Sequence, residues 1–280
     1  MKYLFVLLTC ITLRVSAQSQ LNFNKGFMES INKWVAIKTP VDTIYGYGFI
    51  YMDADAGITV HQGGLFKIKK DGVFISHKNP PNQIRIERLH DNGRVKVAWI
   101  PDDKVKEMQE ELEPYWLKSY KVDTTSVRYL FRMGFSYNAG NQIDKALYYL
   151  NRVKKANPDY PGLAFEFIYA YNAINQFDKA EAIINEELKK TPNNGNLYKE
   201  LVYAQVKSGK MNKAEETYKK GILFCSADIK SEMIMNIIYT YFTQKNKEKF
   251  SYWADNAQAW MAANDPRVKA IDGMRQTINK

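Results

Sequence analysis

The stretch Leu130-Phe131-Arg132-Met133-Gly134-Phe135-Ser136-Tyr137, followed by Lys145-Ala146, Leu150 and Pro158, decides the second half of this sequence, because its landmarks return at one fixed interval. Ala146, Ala180 and Ala214 lie 34 residues apart, as do Lys145, Lys179 and Lys213; Tyr137 and Tyr171, Asp144 and Asp178, and Pro158 and Pro192 keep the same offset. A period of this size marks a repeat architecture in which each unit is one supersecondary element. Within the second unit, Ala164, Phe167, Ile168 and Tyr171 fall at i, i+3, i+4 and i+7, one apolar stripe on a helix. Ala180 lets a second helix approach closely. A lone hairpin leaves part of this surface uncovered, so neighbouring units must stack.

The pattern of a large apolar residue, Gly134, Tyr137, Ala146, Leu150 and Pro158 resembles the tetratricopeptide repeat. The second unit keeps Tyr171, Ala180, Ile184 and Pro192, with Ile168 in the glycine slot; the third keeps Leu201, Ala214 and Tyr218, with Gln205 in the tyrosine slot and Ser226 in the proline slot. A fourth unit, about 231–262, needs a two-residue insertion and has Phe250 in the alanine slot, and a capping helix is expected over 267–278 after Asp265-Pro266. The resemblance covers about 140 of 280 residues and implies a helical solenoid that binds a partner without chemistry. It places the binding groove on one side of each first helix, about 100° round from the packing stripe. In this sequence that side carries Phe131, Phe135 and Asn138, then Phe165, Tyr169 and Asn172, then Lys199, Tyr203 and Val206, and finally Met235, Tyr239 and Phe242.

The family's familiar clamp for a terminal carboxylate needs Lys, Asn and Arg, whereas Phe131, Phe135, Glu166, Asn196 and Glu200 occupy the corresponding slots here. That activity is not carried over. Aromatic rings suit an extended peptide with bulky apolar side chains, an amphipathic helix, or a sugar stacked on a ring. At roughly 1.5–3 kcal/mol per buried large side chain, two or three anchors suffice for micromolar binding after the entropy of association. The lysine pairs Lys154-Lys155, Lys189-Lys190 and Lys219-Lys220 end second helices, where cations complement the helix dipole.

The first half has another texture. Trp34–Ile37, Ile44–Tyr51, Ile58–Val60, Leu65–Lys69, Val73–Ile75, Ile84–Ile86 and Val95–Ile100 are short β-branched and aromatic runs, and Asp71-Gly72 and Asn92-Gly93 tolerate the backbone angles of tight turns. An antiparallel meander follows. Lys104–Glu113 reads as a helix ended by Pro114, and Tyr115-Trp116-Leu117 as a short helical turn, making 102–122 a hinge or docking element with apolar side chains that could fill the groove. The fold class is therefore α+β: a small antiparallel β-sheet domain (18–101), a helical connector (102–122) and a tetratricopeptide-like array (123–280).

Residues 1–17 have a basic start, about ten apolar residues and a small-residue exit at Val15-Ser16-Ala17, the composition of a secretory signal peptide. Ten residues are too few to span a bilayer. A lipoprotein signal built on Cys10 fits poorly, with Thr9 before it and an apolar tail behind it. Cleavage after Ala17 removes Lys2 and Arg14, lowering the net charge from +10 to +8, and leaves Cys225 as the single cysteine, which can neither bridge within the chain nor hold a metal alone. The remaining charge divides as 15 basic and 13 acidic residues in 18–122 and 23 and 17 in 123–280, with no basic arm, so no nucleic-acid partner is expected. Export points to a periplasmic or secreted protein of a bacterial envelope.

No catalytic, metal or cofactor site is legible. Asp53-Ala54-Asp55-Ala56-Gly57 starts like a calcium loop, but Ile58 stands in the obligatory glycine position and Gly64 in that of the closing carboxylate. Gly46-Tyr47-Gly48 lacks a third glycine and a following helix. The expected function is a non-enzymatic adaptor binding a protein or peptide. Its alternatives are an envelope glycan-binding module and an enzyme whose site in the β half would bring at least two of His61, His77 and His90 together with Asp53 or Asp55.

Overall fold

The computed structural model describes residues 21–53, 55–80, 83, 85–89, 94–120 and 123–278; the expected signal peptide, Cys10, His90 and the Asn92-Gly93 turn lie outside them. The chain divides into two compact units, Met1–Arg132 and Met133–Lys280.

In the first unit the described residues form an antiparallel six-stranded sheet of β1 (Lys33–Lys38), β2 (Tyr45–Asp53), β3 (Gly57–Ile68), β4 (Phe74–Lys78), β5 (Arg85–Arg88) and β6 (Ala98–Trp99). The order β4-β3-β2-β1-β6 begins as the expected meander and then departs from it. β6 returns to β1 through Val35↔Trp99 and Ala36↔Ala98. β5 shares one edge of β3 with β4, pairing Thr59–Gln62 while β4 pairs Gly64–Ile68. The two runs expected around Ile58 and Leu65 are thus one twelve-residue strand. A bulge joins them: Tyr47 faces Gly64 and Gly48 faces Gln62, leaving Gly63 unopposed. A Cβ on Gly63 would lie 2.3 Å from the Tyr47 ring, so only glycine fits beneath it. The Asp71-Gly72 turn closes β3 to β4 with Gly72 at φ +82°, as its composition predicts.

One sheet face carries Trp34, Tyr47, Phe49, Tyr51, Phe66 and Phe74, and the connector covers it. Helix α1 runs only Asp102–Glu107, shorter than expected, because the chain turns at Gln109 (φ +59°). That turn lets the Glu111 carbonyl accept from Trp34 Nε1 (2.8 Å) and the Glu110 carboxylate accept from Tyr47 OH (2.9 Å). A 3₁₀ segment, Tyr115–Tyr120, then sets Trp116 against Phe49 and Tyr51 and buries Leu117 in the same core. These contacts dock the connector on the sheet of its own unit.

The second unit is a stack of helical hairpins, which begins within α2 (Val127–Ala139) and α3 (Ile143–Ala156) and continues with α4 (Leu163–Ala173) and α5 (Phe177–Lys190), α6 (Gly195–Lys207) and α7 (Met211–Gly221), and α8 (Ala227–Thr243) and α9 (Lys247–Gln258). Helix α10 (Pro266–Ile278) closes it, seating Ile271 and Ile278 in the core of the last hairpins. The period is written into the turns. Asn141, Asn175 and Gly209 adopt left-handed φ at 34-residue intervals, and Lys245 follows after 36, the expected insertion. At each, the next amide reaches back to the carbonyl five residues earlier: Gln142 to Tyr137, Gln176 to Tyr171, Lys210 to Gln205 and Asn246 to Tyr241, at 2.8–3.0 Å. Gly134 earns its slot by contact, since a Cβ there would meet Leu150 at 2.6 Å. In the degenerate unit, Phe250 is fully buried where an alanine is usual. The architecture is α+β, a sheet unit followed by a solenoid of tetratricopeptide-like hairpins.

Candidate functional site

The first helices α2, α4, α6 and α8 present the residues that the repeat register assigns to a binding face, and the structure sorts most of them into three groups. Phe135, Phe165, Tyr169 and Tyr239 are open, at 39%, 36%, 48% and 55% exposure. The opposite stripes of the first helices, such as Phe167 and Ile168 on α4 and Leu197 and Leu201 on α6, are buried. Phe131, Tyr203, Met235 and Phe242 are partly covered: Tyr203 meets Phe177 edge-on at 6.5 Å and Phe242 lies 6.0 Å from the buried Phe250. Val206 is core.

Asn138 and Asn172 form the third group, and their role differs from the one expected. Both are buried, at 2% and 6% exposure. Asn138 Nδ2 donates to the Glu166 carboxylate (2.8 Å) and backbone carbonyl (3.0 Å), and Asn172 Nδ2 donates to the Glu200 carboxylate (3.2 Å). Each amide therefore ties one first helix to the next rather than facing a groove. A signal for this existed in the sequence: Glu166 and Glu200 recur at the same 34-residue step as the asparagines, so every Asn meets a Glu 28 residues on.

Charge on this face is uneven. Lys199 Nζ lies 3.5 Å from both Glu200 and Glu232, a small network on α6 and α8. Glu166 has its asparagine and no cation within 4 Å among the described residues. Burial holds its carboxyl above the usual carboxylate range, and the Asn138 hydrogen bond opposes this only in part. Elsewhere in the array, buried carboxylates are neutralised. Glu181 accepts from Lys210 (2.6 Å) and Gln205 (3.2 Å). Glu215 accepts from Tyr241 OH (2.5 Å), Trp253 Nε1 (3.1 Å) and Lys249 (3.1 Å).

Two connector side chains expected as candidates to fill the face are committed elsewhere: Trp116 stacks on His61 at 4.4 Å and Leu117 is sheet core.

In the sheet unit, the described residues among those that an enzyme reading requires are dispersed. Leu65 stands opposite His77 and Gly57 opposite Asp53, each four residues along β3 from His61, or roughly 13 Å at the rise of a strand. Burial beside Trp116 lowers the pKa of His61. Asp53 Oδ1 accepts from the amides of Asp55 (2.8 Å) and Ala56 (2.7 Å), which makes it a turn residue. Among the described residues no group of three His, Cys, Asp or Glu could hold a metal ion, and no helix is long and apolar enough to cross a membrane.

Comparison with known proteins gives fold-level likenesses. No protein-family model matches the chain, and no curated protein matches it. Among solved structures, MamA from MSR-1 is 19% identical over 51% of this chain and 80% of its own, with a TM-score of 0.42. MamA from AMB-1 is 18% identical over 54% of this chain and 82% of its own, also at 0.42. A tetratricopeptide repeat protein from Parabacteroides merdae ATCC 43184 is 12% identical over 64% of this chain and 63% of its own, with a TM-score of 0.42.

Proposed function

We propose that this protein is a non-enzymatic adaptor or scaffold of a bacterial cell envelope, exported by its first 17 residues, whose helical array receives a peptide or a helix on the first-helix face. The observation that carries the reading is the contrast on α4: Phe165 and Tyr169 are open to solvent on a helix that buries Leu163, Phe167 and Ile168. Exposed rings recurring from repeat to repeat are the kind of surface that protein partners cover.

Selection of twelve-residue peptides from a displayed random library on the full chain tests it. Enrichment of a defined motif by the wild type, lost in the Phe165→Ala/Tyr169→Ala variant, supports the groove; equal enrichment by both proteins overturns it. Export has its own test. The protein recovered from the envelope fraction should begin at Gln18, and an intact Met1 there would refute cleavage.

A further inference from the structure

Glu166 is the exception among the partly buried carboxylates of the array. Glu181, Glu200 and Glu215 each have a lysine nearby, Lys210 at 2.6 Å, Lys199 at 3.5 Å and Lys249 at 3.1 Å. Glu166 has the Asn138 amide at 2.8 Å and, among the described residues, no cation. A desolvated carboxylate without a countercharge is an unfavourable arrangement for a folded protein standing alone.

Its surroundings say what would complete it. Phe165 precedes it on α4, Tyr169 follows one turn later, and Phe135 lies one turn before the Asn138 that holds it. All three rings are open. Ring faces carry negative charge density and attract cations, while a carboxylate asks for paired donors. One side chain meets both demands: the guanidinium of arginine is planar, donates two parallel hydrogen bonds to a carboxylate and stacks on aromatic faces. An ammonium is compact and strongly hydrated, and it surrenders more hydration for less contact.

We infer that the occupant of the first-helix face is a partner segment bearing an arginine among apolar residues, with its guanidinium on Glu166 between Phe135, Phe165 and Tyr169. This inference rests on the binding face proposed above and adds the chemistry of the partner. Charge complementarity selects the occupant: a partly buried carboxylate that has an amide donor but, among the described residues, no cation beside it, flanked by open rings, calls for a cationic side chain.

The experiment selects displayed twelve-residue peptides in parallel on the full-length wild type, Glu166→Gln, Glu200→Gln and Phe165→Ala/Tyr169→Ala proteins. Glutamine keeps an oxygen that accepts from Asn138, so the Glu166→Gln variant retains the inter-repeat bond. The wild type and Glu200→Gln should enrich arginine at one position flanked by apolar residues, and Glu166→Gln should enrich apolar residues without arginine. A synthetic peptide from the wild-type selection should lose about tenfold or more in affinity when its arginine becomes citrulline, and this gap should vanish on Glu166→Gln. Equal arginine enrichment by wild type and Glu166→Gln overturns the inference, as does lysine enriched equally with arginine. If apolar motifs depend on Phe165 and Tyr169 but carry no arginine, the binding face stands and the arginine falls. If nothing depends on those two rings, the face itself falls.

Discussion

Two carboxylates inside the helical array are treated in opposite ways. Glu215, between α7, α8 and α9, accepts from Tyr241, Trp253 and Lys249, and these donors outweigh its burial and hold its pKa below the usual carboxylate range. Glu166, at the seam of α2 and α4, has one amide donor, and burial dominates, raising its pKa. The first arrangement finishes an interior. The second leaves an electrostatic demand beside open rings, which is how a surface can favour binding over stability.

Removing the interior side of this contrast should have the largest effect. Trp253→Ala deletes a buried ring and a donor to Glu215 and should lower stability by about 3–5 kcal/mol in urea denaturation; a loss below about 1 kcal/mol would mean that the last hairpins are not packed as described. Gly134→Val, whose first added carbon already meets Leu150, should lower it by about 1–3 kcal/mol. Glu215→Gln should lower stability at pH 7 by a similar 1–3 kcal/mol. Because its folded-state pKa is depressed, that contribution is present above the unfolded carboxylate value, about 4.3, and fades as pH falls through the folded value. Wild type and variant should therefore converge in acid.

Glu166→Gln should do the reverse, raising stability at pH 7 by up to about 1 kcal/mol. Here the folded pKa is raised, so the penalty is absent below about pH 4.3 and complete above the folded value, and the gap should open as pH rises. A variant less stable than wild type at pH 7 would end the comparison. The smallest effect belongs to Phe165→Ala/Tyr169→Ala, about 0.5 kcal/mol or less per site, because both rings are already in water.

How far the fold could be read from sequence follows from the range of the interactions. The 34-residue register is local: Gly134 faces Leu150 and Ala146, Tyr137 stacks on Tyr149 within the same hairpin, and the turns at Asn141 and Asn175 repeat with it, so helices and period are visible in the letters. Strand existence was equally local, resting on runs and turn pairs. Strand order was not, because β5 could have joined any free edge and β6 returns to β1 across 59 intervening residues, from Lys38 to Ala98. The connector's destination was hidden for a related reason. Trp116 and Leu117 state that they need burial without stating where, and the hydrogen bonds of Glu110 and Glu111 that fix their docking depend on a turn at Gln109 that no glycine or proline announces. On the binding face the rings were legible as a register, but whether each was open depended on neighbours 30 or so residues away. A polar side chain on a first helix, such as Asn138 or Asn172, looks available until its partner on the next is known.

The asparagine–glutamate tie gives the array a direction. The second repeat carries Glu166 for the unit before it and Asn172 for the unit after it, whereas the third carries Glu200 but has Val206 in the asparagine position. In the language of modular assembly, the second repeat has two compatible ends and the third is a terminator. Tandem duplication of 163–196 should lengthen the solenoid with every such tie intact, each copy accepting backward and donating forward. Duplication of 197–230 would set a valine against an orphaned glutamate, so the array is extensible at one junction and closed at the next.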